Sequence, residues 1–228
     1  MVVATWYTDA YDYGYGTNVN GNWVSLTGIY LVKQWFPRAA MAMGLPYMSF
    51  ASKYSDGVAT SYDMLHIKSI VGVGEQIELN GGWRVTYTSV GLRTDITGDN
   101  DAWYCAFSQQ QFLYVMKGAI VNSVKEYSDL GDGFRMSNPV SNPEIILYKG
   151  NPVVGWFENS NMELYIAEWD GSEWWVIGAG SIPTGNLYSL RMAASSSNLF
   201  VTYASTESDT AISVNLYDGE YWYGMPPV

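Results

Sequence analysis

The chain has 228 residues, 48% apolar and only 14% charged, and its 11 Lys and Arg against 22 Asp and Glu leave a formal net charge of −11. That length holds a full core as a single domain over residues 1–228, while the acidic balance, with no basic run, excludes an electrostatic grip on nucleic-acid phosphates. Aromatic residues at 16% and 23 glycines suit many short strands and tight turns, and exclude a helical bundle.

The first predicted strand is Val2 to Thr8. Its start has neither the basic residues nor the sustained apolar stretch of a secretory leader, and no apolar run approaches a membrane span. Asp9 to Gly16 follows as a loop, with Tyr11, Tyr13 and Tyr15 beside Asp9 and Asp12. Tyrosine faces next to carboxylates suit stacking on sugar C–H faces with hydrogen bonds to hydroxyls; the alternative is a packed loop. A hairpin ends at Asn20-Gly21-Asn22-Trp23, and Leu26 to Phe36 connects to a strand over Ala39 to Met43, where Met41 and Met43 are expected to face the core or the narrow channel as gap-fillers rather than hold a cofactor.

Pro46 to Ser52 and Met64 to Ile70 are the next strands. His66, the only histidine, has no second nitrogen or sulfur ligand near it and carries no metal site. Asn80-Gly81-Gly82-Trp83-Arg84 and Gly131-Asp132-Gly133-Phe134-Arg135 read either as hairpin turns or as exits from outer strands. The carboxylates from Asp95 to Asp101 have the oxygen ligands calcium takes, but lack a bidentate Glu at the required distance, and read as an acidic turn. Cys105, alone in the apolar strand Trp103 to Gln109, reads as a buried thiol. No cofactor is expected.

Asn138 to Pro143 reads as a linker. Beyond it lie strands at Glu144 to Lys149, Pro152 to Glu158, Leu164 to Trp169 and Trp174 to Ile177, with Asp170-Gly171 as a tight hairpin signal. Leu190 to Ala194, Leu199 to Ser205, Ala211 to Tyr217 and Tyr221 to Tyr223 repeat that scheme.

One strand recurs through the chain: VVATWYT, PYMSFAS, WYCAFSQ, PVVGWFE and LFVTYAS place Trp6, Phe50, Phe107, Trp156 and Tyr203 at one point, at intervals of 44, 57, 49 and 47 residues. A self-similar unit of this length made of four strands predicts an all-β fold, a five-bladed β-propeller with four-stranded antiparallel blades near 1–36, 37–90, 91–140, 141–186 and 187–228. The first blade begins at its second strand. The C-terminal Gly224 to Val228 is a weak substitute for the missing one, since proline cannot donate to a ladder, so the open edge is either covered or offered to another copy of the chain.

The Gly-Asn-Pro-Val-Val-x-Trp step at Gly150 to Trp156 and the hairpin Tyr165 to Trp174 resemble the repeats of secreted and surface-displayed bacterial propellers, and more distantly the sialidase-type blade. The Asp-Gly-x-x-Trp turn is similar to the Asp-box of sialidases, but the Ser-x-Asp spacing is absent at Asp170, so that family's activity is not implied.

Aligning the inner strands on their starts puts Arg38, Arg93, Glu144 and Arg191 at one repeated place, near the channel mouth. Three of only five arginines fall there. Converging guanidinium groups suit a carboxylate, sulfate or phosphate, and the sialidase resemblance implies such a use for a sugar carboxylate. The competing reading is that the arginines pair with Glu144 and nearby Asp residues to hold blades together.

The function expected is a non-catalytic module that recognises a glycan or a partner protein, outside the cell, on a cell surface or on a virus particle. Two others stay open. A glycoside hydrolase or lyase would need an acid and nucleophile from among Glu144, Asp95 and Tyr188, which no spacing pairs. A structural assembly subunit would join neighbours through exposed edges.

Overall fold

The computed structural model describes residues 2–7, 13–19, 22–27, 34–55, 61–70, 76–78, 83–85, 93–121, 124–178, 180–205 and 212–226. Within them every regular element is a strand, and five antiparallel sheets follow one another along the chain.

The first sheet holds β1 (Val2–Tyr7), β2 (Tyr13–Val19) and β3 (Asn22–Thr27). The second holds β4 (Gln34–Ala42), β5 (Leu45–Ser55), β6 (Ser61–Ile70), β7 (Gln76–Glu78) and β8 (Trp83–Val85). The third holds β9 (Arg93–Gly98), β10 (Trp103–Gln109), β11 (Phe112–Val121), β12 (Val124–Asp129) and β13 (Phe134–Arg135). The fourth holds β14 (Val140–Tyr148), β15 (Asn151–Glu158), β16 (Glu163–Trp169), β17 (Trp174–Val176) and β18 (Ile182–Pro183). The fifth holds β19 (Leu187–Ala194), β20 (Leu199–Ser205), β21 (Ile212–Tyr217) and β22 (Trp222–Gly224).

Each sheet is a meander, its strands in sequence order; β8, β13 and β18 return to pair beside the beginning of the third strand of their sheets. The Gly-rich segment before Phe134 is therefore an exit from an outer strand, while residues 80–82 lie outside the described residues. β1 packs on β4 as β5 packs on β9 and β10 on β14, so the first sheet begins at the second place, as its sequence predicts. Among the described residues no strand pairs with its inner edge.

Phe50, Phe107, Trp156 and Tyr203 all lie on second strands, β5, β10, β15 and β20, and none is more than 9% exposed. Trp6 lies on β1, the matching strand, with its side chain outside the described residues. Apolar side chains fill the spaces between consecutive sheets: Leu65, Ile67 and Trp103 between the second and third, Val115, Ile145 and Trp156 between the third and fourth, Leu190, Leu199 and Val201 between the fourth and fifth. Burying each such side chain contributes about 1.5–3 kcal/mol. Cys105 belongs to the first of these layers, and its burial pushes the thiol well above its ordinary range.

Two turn designs set the corners. Met43-Gly44 and Lys149-Gly150 are two-residue turns with positive φ at both positions, which matches strand twist. Asp170-Gly171, expected to be such a turn, instead opens a four-residue one between Trp169 and Trp174. Asp170 Oδ1 accepts the amides of Ser172 and Glu173 at 2.8 and 2.9 Å, so the side chain organises the loop by mimicking a backbone carbonyl. Asp99, Ser195 and Asp218 do the same at their corners. The cluster from Asp95 to Asp101 thus divides: Asp99 organises a turn, whereas Asp95 is buried on β9.

Two further expectations change. Asn138 to Pro143 is not a linker, because β14 starts at Val140 and runs through a bulge at Asn142-Pro143, where a proline costs no ladder hydrogen bond. Tyr13 to Gly16 is not a loop but the start of β2; alternating tyrosine and glycine has the two-residue period of a strand.

Candidate functional site

The inner strands β4, β9, β14 and β19 lie side by side, each packed on the next. Directly across from the residue before each buried aromatic stand Arg38 (opposite Ser49), Asp95 (opposite Ala106), Glu144 (opposite Gly155) and Arg191 (opposite Thr202). Each is twelve residues before the aromatic of its own sheet. The repeated place is therefore held by two cations and two carboxyls.

Arg93 does not share that place: it pairs with Ser108, two residues nearer the start of β9. Counting from strand starts slips here because β4 and β14 carry an extra bulged residue just before the place, and the pairing of β9 shows none. The two-residue period of the strand still turns Arg93 to the same face as Asp95.

The side chains link sheet to sheet. Arg38 Nε lies 3.6 Å from Asp95 Oδ1, Arg93 Nη1 donates to Asn142 Oδ1 at 2.6 Å, and Arg191 Nη1 donates to Glu144 Oε2 at 3.0 Å and to its neighbour's carbonyl, Leu190 O, at 2.7 Å. Asp95 Oδ2 accepts the amide of Ile145 at 2.7 Å, which ties β9 to β14 beneath the arginines. So the pairing expected as an alternative is present for Arg38 and Arg191.

All three arginines nevertheless border one cavity of about 190 Å³, with Glu144, Asn142 and the 71%-exposed Tyr188 completing its wall. Burial lowers the pKa of Arg93 first, and the charge of Arg38 lowers it further, the mark of two cations held near one another. Burial also raises both carboxyls; their mutual repulsion raises Glu144 further, while Arg38 and Arg191 pull the other way without cancelling the effect. Three guanidinium groups and two carboxyls thus meet around the mouth. Chemically it offers charge-assisted donors from three sheets to a compact oxyanion.

Of the residues singled out in the sequence, Arg38, Arg93, Glu144 and Arg191 come together. Tyr11 lies outside the described residues; Tyr13 and Tyr15 lie on β2, and their side chains lie outside them. Asn142 was hidden by its reading as linker. Asp95 was legible through the twelve-residue spacing, which strand starts obscured.

No family model matches the chain, and no curated protein sequence does. Solved structures match it in shape. A point mutant of the Aleuria aurantia lectin in complex with Fucα1-6GlcNAc has a TM-score of 0.62 at 13% identity, over 99% of this chain and 78% of that one. The same lectin mutant with α-methyl-L-fucoside gives 0.56 at 14% identity, over 99% and 77%. A neuraminidase-like protein (A/little yellow-shouldered bat/Guatemala) gives 0.47 at 13% identity, over 86% and 60%, too loose a likeness to bear on the site. The lectin likeness establishes the fold class, a β-propeller of antiparallel sheets.

Proposed function

We propose that the chain is a five-bladed β-propeller acting as a non-catalytic recognition module, and that it binds acidic glycans, carrying a carboxylate or sulfate, at the arginine-lined mouth. The observation that carries the reading is the convergence of Arg38, Arg93 and Arg191, from the second, third and fifth sheets, on one cavity. Two of these cations repel one another, and an anion between them relieves that repulsion at contact range, where salt screening over about 8 Å has little effect. Tyr188 adds an exposed ring beside the arginines for the sugar itself.

A propeller of similar shape is seen with a fucoside bound, which supports a glycan as the ligand class. A non-catalytic role fits the carboxyls, since Glu144 is tied to Arg191 and Asp95 to Arg38 and the Ile145 amide; hydrolysis needs an acid and a base placed about a sugar. The same reading sets the module outside the cell or on a virus particle, where such glycans are displayed. A glycan array carrying neutral, sulfated and uronate saccharides, run beside a reducing-end assay, tests it. Acidic saccharides are expected to bind and stay intact. Equal binding by the Arg93→Ala variant, or release of reducing ends, overturns it.

A further inference from the structure

Resting on the acidic-glycan reading of the mouth, a second property follows from which groups share it. Glu144 is the mouth's own counter-ion. Its carboxylate holds Arg191, the more exposed of the two ion-paired arginines among the described residues, with 57% of its side chain accessible against 32% for Arg38. Anything anionic that engages Arg191 competes with Glu144 for the same guanidinium.

The groups around Glu144 come from every packed inner strand: Arg38 from β4, Arg93 and Asp95 from β9, Asn142 from its own strand, Tyr188 and Arg191 from β19. Behind it, β15 places Gly155 directly across from Glu144, and Cys105 of β10 is buried with its thiol donating to the Ala106 carbonyl. A ligand anion would be the third negative charge among these groups, after Asp95 and Glu144. Like charges this close do not all stay ionised.

We propose that Glu144 works as a proton-controlled stopper: it takes up one proton as an anion enters, gives up Arg191 to that anion, and loses the proton again when the anion leaves. The carboxylate becomes a neutral carboxyl, and no other bond is made or broken. Asp95 does not fill this part, because its carboxylate is fixed by the Ile145 amide. Glu144 is already poised for it, since burial and Asp95 hold its carboxyl above the usual range.

Inorganic sulfate, whose charge is constant near neutrality, is the probe. Calorimetric titration of the intact chain near pH 9, in two buffers of different ionisation enthalpy, is expected to show uptake of close to one proton per sulfate, and binding is expected to be about tenfold tighter near pH 6 than near pH 9. Glu144→Gln is expected to bind with no pH dependence, and more tightly than the parent near pH 9. If sulfate binds, depends on Arg191 in the Arg191→Ala variant, and shows neither proton uptake nor pH dependence, the stopper is wrong and the mouth stands. If sulfate does not bind, or binds equally after Arg191→Ala, both the stopper and the anion-binding mouth are overturned. The two-buffer measurement on the parent chain needs no variant, so a variant that fails to fold leaves the test intact.

Discussion

The indole of Trp222 in β22 sits where a β-carbon on Gly178 would have to be, and its Nε1 donates to the carbonyl of Ile177 at 3.2 Å. One sheet earlier, Trp174 Nε1 likewise donates to the carbonyl of Leu130 at 2.8 Å, with its ring 3.4 Å from where a β-carbon on Gly131 would stand. Gly178 also has φ +76°. Gly178→Ala should therefore cost about 2–4 kcal/mol, from positive-φ strain of roughly 1 and overpacking of roughly 1–3. Urea unfolding checks this, and the loss should be less than additive with Trp222→Ala.

Trp156, 1% exposed, stacks on Tyr165 and leans on Phe134 at ring separations of 5.6 and 4.9 Å. Trp156→Ala should cost about 3–5 kcal/mol. Trp156→Phe should cost far less, about 1 kcal/mol, because Nε1 has no acceptor among the described residues and its removal relieves a buried unpaired donor. Denaturant titration separates the two; a loss under about 1 kcal/mol for the alanine variant would contradict the packing.

Stability should be greatest in mild acid. Burial lifts Asp95 to about 6 and Glu144 to about 8, so the unfolded chain releases those protons first and stability falls as pH rises from about 4 to about 8. The backbone amides at the turns hold Asp170 and Asp218 below the ordinary range, so their stabilisation is present above about pH 4 and is lost as pH falls through their lowered values. Midpoints of urea unfolding across pH should peak near pH 4–5, and Glu144→Gln should flatten the upper limb. A level profile from about pH 5 to 8 in the parent chain would contradict the raised carboxyls.

Arg93→Ala should weaken binding of an acidic saccharide by about 1.5–3 kcal/mol, the loss of one charge-assisted hydrogen bond. Neutral saccharides should be affected far less. Titration calorimetry with matched sulfated and unsulfated oligosaccharides measures the difference.

The fourth sheet was the most legible, because PVVGWFE alternates cleanly and its turns carry glycine at the corners. That one strand located the buried aromatics of its counterparts. Arg93 shows where legibility stops: a bulge adds a residue without changing the hydrophobic pattern, so the start of a strand says nothing about which side chains share a level. The spacing from the aromatic does, since pairing across the sheet is counted from there. Asn142 was hidden for a related reason, an Asn-Pro step that reads as a linker and folds as a bulge. The cavity itself is invisible in sequence, because its wall is assembled from strands about fifty residues apart.

The tryptophan grips run in one direction: in both described cases the later sheet holds the earlier one, 44 and 45 residues further along the chain. On a ribosome adding roughly 5–20 residues per second, the bend at Leu130 waits about 2–9 s for Trp174 to be made. Each finished sheet is thus fastened by its successor, so a chain stalled midway carries one unfastened sheet at its growing end, the place where a chaperone or a protease would meet it.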